Sequence, residues 1–243
     1  MKQNHSGSSS KNKEPEDIAK SRRFEESFKN NASNRFEKEL IPLAAIQPYL
    51  KDYKFDGNES LAPYYTAYNK KTSKQVIVKY STGSMDQQKE VYNRLWKNIV
   101  KARWPCINKI YEMFEPNVNI MVMDKNVSGI RSVAFDKVLV DILKILEFLH
   151  ECGYLYRNMS PEHFMLTAEE YKLVVIDFKL ARRYTDIKGN HIDVQETVYR
   201  GGDFGSNSQL RHMPEGRKDD LESLGYLALF LLSGELPWQG MSR

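Results

Sequence analysis

Three stretches of the chain hold side chains suited to chemistry on a phosphate group. Residues 154–166 read YLYRNMSPEHFML, Lys79 lies near the end of KQVIVKY, and Asp177 lies within VVIDFKLARRY. Phosphoryl transfer requires a protein to clamp phosphates, hold Mg²⁺ and orient a hydroxyl, with little covalent work of its own. The question is whether the segment 154–166 is the catalytic loop of a working phosphoryl-transfer enzyme, or a loop of the same kind that has lost its reactive groups.

Composition limits the classes of protein that need to be considered. A hydrophobic content of 41% over 243 residues fits one or two globular domains, and a net charge of +4 is too small to indicate nucleic acid or membrane partners. Cys106 and Cys152 lack disulfide or zinc spacing, so we expect both thiols to be buried in a protein of a reducing compartment. Neither a signal core nor a spanning segment occurs, which predicts a cytoplasmic protein, free or attached to the cytoskeleton or a large complex.

The elements that would position these side chains change along the chain. Residues 1–40 are polar and are predicted to form a disordered tail. Periodicity then predicts strands at 64–69, 74–80, 107–116, 119–124, 164–166 and 172–178, and helices at 85–100, 135–150 and 219–234. Between them we expect a linker at 126–129 and a long polar loop at about 183–216. This order predicts an α+β fold with a small β-rich lobe, 41–125, and a mostly helical lobe, 126–243.

Two of the predicted helices have a clear apolar face. The first is expected to bury Val91, Leu95 and Ile99. The second has a stronger pattern and is expected to bury Val138, Ile142, Ile145, Leu146 and Leu149.

At these places the residues resemble the eukaryotic protein kinase fold, and specifically the casein kinase I group, with its tau-tubulin and vaccinia-related kinases. The resemblance rests on NIMVMD, on VVIDFKLARRY and above all on RKDDLESLGYLALFLLSGELPWQG, and it covers about residues 50–240. It implies a bilobal fold whose helical lobe continues past Pro-Trp-Gln-Gly in the family. Because the chain stops at Arg243, we expect a C-terminally shortened, incomplete lobe, either truncated or covered by a partner.

The resemblance implies that the phosphate-clamping parts are degraded. The family's glycine loop falls on 57–62, where only Gly57 remains, unless an unseen gap shifts the alignment. Lys79 matches the phosphate-pairing lysine, but Ile77 replaces the small alanine that roofs the adenine. Gln88 falls where the lysine's glutamate partner is expected, with Glu90 as the alternative.

The loop at 154–166 departs from the family at three positions. Asn158 replaces the aspartate that accepts the hydroxyl proton, and a neutral amide is no useful base at pH 7. Ser160 replaces a lysine that neutralises the transferred group, and His163 replaces an asparagine that holds the second metal. Imidazole is a poor ligand for Mg²⁺, which prefers oxygen. We therefore assign no catalytic residue.

The family's Asp-Phe-Gly motif reads Asp177-Phe178-Lys179 in this chain. Phe178 is expected to pack on the helix after Met85, and the Lys179 ammonium to neutralise Asp177 in a metal-free state. Lys79 and Asp177 remain as a vestigial nucleotide and Mg²⁺ site, but we expect no bound metal, and ATP with Mg²⁺ is a doubtful cofactor.

Relative to the family, a residue that binds the substrate is changed, whereas residues that organise the fold are retained. Asp203 stands where casein kinase I enzymes use an arginine to read a phosphorylated residue, and its charge would repel phosphate. Asp220 and Trp238 match positions that organise the helical lobe. The short segment before Phe135 implies that helix D of the family is absent.

The leading hypothesis is a casein kinase I-like pseudokinase that acts as a scaffold or structural subunit of a larger assembly. The alternatives are an ATP-binding sensor without turnover and an atypical, weakly active Ser/Thr kinase with a displaced helper such as Glu162. Protein partners are expected at the C-terminal surface, the 183–216 loop and the N-terminal tail. Nucleic acid and membrane partners are not expected.

Overall fold

A computed structural model describes residues 41–56, 64–81, 83–99, 107, 110–114, 119–130, 134–167, 172–192, 202–239 and 241. The polar segment 1–40 and the glycine-loop positions 57–62 lie outside these residues, as does Cys106. All described residues belong to one unit, Phe36–Arg243.

The first lobe is built on five antiparallel strands. A short helix α1 (Leu43–Ile46) and a 3₁₀ turn (Gln47–Tyr49) precede the sheet. Its strands are β1 (Tyr53–Phe55), β2 (Tyr64–Asn69), β3 (Gln75–Ser81), β4 (Ile110–Phe114) and β5 (Asn119–Asp124), in the order β1-β2-β3-β5-β4. The hairpin and the two later strands confirm the sequence prediction, whereas β1 was missed because three residues carry too little periodicity to stand out.

The β2–β3 hairpin shows how local sequence sets the register of the sheet. Asn69 Oδ1 accepts hydrogen bonds from the backbone N–H groups of Lys71 and Thr72, each at 3.0 Å, which closes the turn. Ala67 then faces Val76 across the pair, and both side chains are buried. The alternation continues along β3 and places Lys79 on the face opposite Val76 and Val78.

Helix α2 (Asp86–Asn98) follows β3 and lies in the first lobe. Val91 and Leu95 are fully buried, as predicted, and Ile99 is half-buried. Gln88 and Tyr92 are also buried, so this face is wider and more polar than the apolar pattern indicated.

The second lobe is organised by two long helices, α3 (Phe135–Glu151) and α5 (Arg217–Ser233), with a short α4 (Asn207–Leu210) between them. The predicted apolar face of α3 is confirmed, because its five residues are at most 2% exposed. Short strands complete the lobe: β6 (Asn126–Gly129), β7 (Tyr154–Leu155), β8 (Phe164–Thr167), β9 (Leu173–Val175) and β10 (Arg182–Arg183).

Three expectations need correction. Residues 126–129 are not a free linker: β6 pairs antiparallel with β8 in the sheet order β6-β8-β9. The segment 183–216 is not one loop, since it contains a 3₁₀ turn (Gly202–Phe204) and the helix α4. Ser206 and Gln209 form a reciprocal capping box at the N-terminus of α4. Cys152 is only half-buried rather than a core residue.

The α+β prediction of a β-sheet lobe and a lobe with helical elements is confirmed. Within the described ranges, no helix is long and apolar enough to cross a membrane.

Candidate functional site

Lys79 lies at the centre of the candidate site and is only 5% exposed. Its Nζ is 3.2 Å from Asp177 Oδ1 and donates a hydrogen bond of 3.3 Å to Gln88 Oε1. The structure thus brings together the two residues predicted for the vestigial site. Ile77, two residues earlier on β3, is half-buried and lies opposite Met123 of β5.

The orientation of α2 about its own axis decides which of its side chains contacts Lys79. Gln88 is buried and contacts the lysine, whereas Glu90 is exposed and accepts a 3.0 Å hydrogen bond from Tyr154 Oη. The alternative based on Glu90 is therefore wrong. A neutral amide replaces the carboxylate, so Asp177 supplies the negative charge beside Lys79.

Asp177 follows β9 and is 3% exposed. Its carboxylate is approached by Lys79, by His163 Nε2 at 3.8 Å and by Lys179 Nζ at 4.0 Å, and Oδ1 accepts the Lys179 backbone N–H at 2.9 Å. Burial by itself raises the pKa of this carboxyl, but the neighbouring positive charges and the N–H donor outweigh burial and lower the pKa to about 2. The site therefore holds Asp177 as an anion.

The donor set around Asp177 does not fit Mg²⁺. This ion requires several oxygen ligands at about 2.0–2.1 Å in near-octahedral geometry. Here the groups that approach the carboxylate are two lysines and an imidazole, and the described residues contain no cluster of three acidic, histidine or cysteine side chains able to hold a metal. The groups nearest this carboxylate are therefore nitrogen donors rather than the oxygen ligands that Mg²⁺ prefers.

Lys179 takes the glycine position without backbone strain. Among the described non-glycine residues, positive φ angles occur at Ser73, Arg157 and His212, and Lys179 is not one of them. The lysine therefore needs no left-handed backbone conformation, and its side chain reaches toward Asp177 while remaining 50% exposed.

Edge-to-face aromatic contacts next to the ion pair join the two lobes. Phe178 is fully buried and meets Tyr92 of α2 edge to face at 4.8 Å, which confirms that Phe178 packs on this helix. On its other side Tyr156 lies 6.1 Å away, and Tyr92 Oη donates to the carbonyl of Ile176 at 3.0 Å. These contacts fix the backbone on both sides of Asp177.

The three substituted loop residues, Asn158, Ser160 and His163, are all buried. His163 Nδ1 donates to the Asn158 carbonyl at 2.8 Å, which leaves Nε2 turned toward Asp177. Asn158 Nδ2 has no hydrogen-bond partner among the described residues. Asn158 therefore contributes a neutral, buried amide to this loop.

Two carboxylates hold this loop, and only one of them was singled out from the sequence. Asp220 accepts the backbone N–H groups of Tyr156 and Arg157, each at 2.8 Å, and lies 2.7 Å from His150 Nε2. The missed residue is Glu215, which forms a two-pronged ion pair with Arg157 at 2.9 and 2.6 Å. Its only sequence signal was an acid just before the helix that carries Asp220.

On the substrate side, Asp203 lies in the 3₁₀ turn before α4, outside the cluster around Lys79. Its backbone carbonyl accepts a 2.8 Å hydrogen bond from Trp238 Nε1, and the Trp238 ring meets Tyr226 edge to face at 5.2 Å. The turn is therefore anchored to α5 and to the segment after it, as expected for Trp238.

A sheet lobe with a buried lysine on its third strand, set against a lobe that supplies an aspartate, is the architecture of protein kinases. The family model described as protein kinase domain matches residues 57–243. The chain belongs to the protein kinase family.

Proposed function

We propose that this member of the family is a catalytically inactive, casein kinase I-like pseudokinase that acts as a scaffold or structural subunit of a larger assembly. The observation that carries the proposal is the environment of Asp177. Lys79 and Lys179 pair with its carboxylate and the His163 imidazole lies 3.8 Å from it, so nitrogen groups of the protein occupy the surroundings that a metal ion would need.

The loop supports the same conclusion independently of the metal. Asn158 offers a carboxamide, and the loss of a positioned base commonly lowers a rate by about 10²–10⁴-fold. Glu162, the candidate helper, is the middle residue of the 3₁₀ turn Pro161–His163, four positions beyond Asn158. This separation disfavours Glu162 as a replacement base for the same hydroxyl.

The relation to the casein kinase I group rests on the run at 217–240, whose first part, Arg217–Ser233, forms α5. The family's phosphate-reading arginine is Asp203 here. We therefore propose that the protein keeps the scaffold of this group and has lost its recognition of phosphorylated substrates.

The scaffold role is supported by apolar side chains that the described residues leave exposed. On α5, Leu221, Leu229 and Leu232 are 49%, 52% and 67% exposed, and their spacing places them along one side of the helix. In the 183–216 segment, Ile187 is 91% exposed at a turn tip. Apolar surfaces of this kind are typical of protein contacts.

The scaffold role is tested by purifying the tagged native protein and measuring what elutes with it at fixed stoichiometry. A Leu229→Lys, Leu232→Lys double variant should lose that component, whereas Val140→Lys, at an exposed position of α3, should keep it. A native protein that elutes only as a monodisperse monomer would contradict the proposal. Inactivity is tested separately, by assaying phosphate transfer.

A further inference from the structure

Helix α5 is apolar on two sides, and the described part of the lobe covers only one of them. The covered side carries three large buried residues, Leu224, Leu227 and Phe230. The other side carries four exposed residues, Leu221, Gly225, Leu229 and Leu232. Residues three or four apart are neighbours on a helix, so these four form one continuous surface, the exposed strip of α5, which is about 16 Å long at 1.5 Å per residue.

No charged side chain interrupts the exposed strip. Between 221 and 234 the only charged residue is Glu222, and it is half-buried. Its Oε1 accepts hydrogen bonds from the Asn207 backbone N–H at 3.0 Å and from Tyr226 Oη at 2.7 Å. Because the carboxylate is held by its own chain, an apolar partner can cover the strip without burying an unpaired charge.

Gly225, in the middle of the strip, has no role that the single chain explains. A β-carbon at this position would meet no atom of a neighbouring element within 4 Å, and Gly225 is not among the described glycines with positive φ. Glycine in the interior of a helix is destabilising relative to alanine. A glycine at this place does let the axis of a second helix come close, because the distance between packed helices depends on the side chains at the contact.

The two ends of the strip carry charges of opposite sign. Lys218 lies three residues before the first leucine of the strip, and its side chain is 73% exposed, although Nζ also contacts Ser208 Oγ at 3.1 Å and Asp219 Oδ1 at 3.2 Å. Glu235 lies three residues after the last leucine and is exposed. A surface with a cation at one end and an anion at the same spacing from the other end is complementary to itself when turned end to end.

We propose that the partner of the exposed strip is a second copy of this chain, with the two α5 helices packed antiparallel about a two-fold axis. In this arrangement Lys218 faces Glu235 of the partner subunit, and Leu221 faces Leu232 of the partner subunit. Gly225 then lies near the axis, where the two helices come closest. The inference rests on the proposed scaffold role and names the chain that covers α5.

The test measures the mass of the full chain by sedimentation equilibrium at about 1–100 µM, a range that covers micromolar dissociation constants. The expected species is a dimer that dissociates on dilution. A chain that stays monomeric throughout, or that forms species larger than a dimer, would overturn the proposal. A monomer that elutes with a different protein at fixed stoichiometry would overturn the second copy and leave the scaffold role standing.

Gly225→Leu separates the interface from the stability of the fold. The added side chain should weaken the dimer at least about tenfold, because it occupies the space between the two helices. It should also raise the melting temperature of the dilute monomer, since leucine favours a helix and meets no neighbour there. Unchanged dimer affinity in this variant would overturn the proposal.

Leu221→Lys should weaken the dimer by a similar factor, because it places an ammonium group in the apolar contact. The matched control is Leu143→Lys on α3, where the leucine is 45% exposed, close to the 49% of Leu221. This control should leave the dimer affinity unchanged. Equal weakening in both variants would contradict an interface at α5.

A charge exchange tests the antiparallel orientation. Lys218→Glu alone and Glu235→Lys alone should each weaken the dimer about tenfold, since each places like charges opposite one another twice in the symmetric pair. The two variants mixed in equal amounts should associate as tightly as the native chain, because every contact again joins opposite charges. Single variants that dimerise like the native chain, or a mixture that stays as weak as they are, would overturn the antiparallel pairing.

Discussion

Lys79 Nζ lies 3.2 Å from Asp177 Oδ1, and the ion pair joins strand β3 of one lobe to the segment after β9 in the other. Both side chains are less than 10% exposed. A buried ion pair contributes little net stability compared with apolar residues, but removing one partner leaves an uncompensated charge. Under the proposed inactivity, the measurable role of the pair is structural.

Lys79→Met should therefore lower the free energy of unfolding by about 3 kcal/mol, because Asp177 loses its nearest cation. Urea denaturation measures the change. The control is Lys71→Met, since Lys71 pairs with Asp52 on the surface, where both side chains are more than half exposed and the cost should be about 0.5 kcal/mol or less. Equal losses in the two variants would contradict a structural role for Lys79.

The pKa of Asp177 predicts how stability responds to acid. The folded-state value of about 2 lies below the ordinary 3.8, so the stabilisation is present above about pH 4 and is lost as the pH falls toward 2. Between pH 6 and pH 3, the stability advantage of the native protein over Asp177→Asn should shrink by about 1 kcal/mol. Unfolding curves at each pH measure this difference, and a constant gap would mean that the pKa of Asp177 is not lowered.

The Arg157–Glu215 pair predicts a strong coupling between two mutations. Both side chains are almost fully buried, and Arg157 also holds a left-handed backbone angle, φ 63°. Arg157→Met or Glu215→Met alone should cost about 3–5 kcal/mol, whereas the double variant should recover much of that loss, because no unpaired charge remains. Additive losses would show that the two residues act independently.

Adding an oxygen donor and removing an ammonium group near Asp177 should create a site for Mg²⁺. In His163→Asn, Lys179→Gly the imidazole becomes an amide oxygen donor and the competing ammonium is removed. Millimolar Mg²⁺ should then raise the melting temperature of this variant and leave that of the native protein unchanged. His163→Asn alone is the matched control and should respond weakly, since Lys179 still faces the carboxylate. A clear rise in the melting temperature of the native protein with Mg²⁺ would contradict the conclusion that the groups around Asp177 do not fit this ion.

The sequence predicted the elements whose patterns are long or regular. Helix α3 shows its buried face through five apolar residues at helical spacing, and the β2–β3 hairpin shows alternation on both sides of a polar turn. Strand β6 was missed because its pairing with β8 depends on a partner far away in the chain. A four-residue segment carries no signal of a partner that distant.

At the site, the sequence identified Lys79 and Asp177 but could not show what each contacts. The choice of Gln88 over Glu90 depends on the rotation of α2 about its axis, which two neighbouring polar residues cannot reveal. Glu215 was missed for a related reason. An acid at a helix N-terminus is ordinarily a capping residue, and only the tertiary structure brings it to Arg157.

The central claim is that the chain keeps the kinase fold without phosphoryl transfer. The most direct measurement follows transfer of labelled γ-phosphate from ATP by the purified protein, with Mg²⁺ and general protein substrates, beside a Lys79→Ala, Asp177→Ala double variant purified in the same way. We predict that the native protein and the variant give the same background signal. Magnesium-dependent transfer by the native protein above that of the variant would contradict the account.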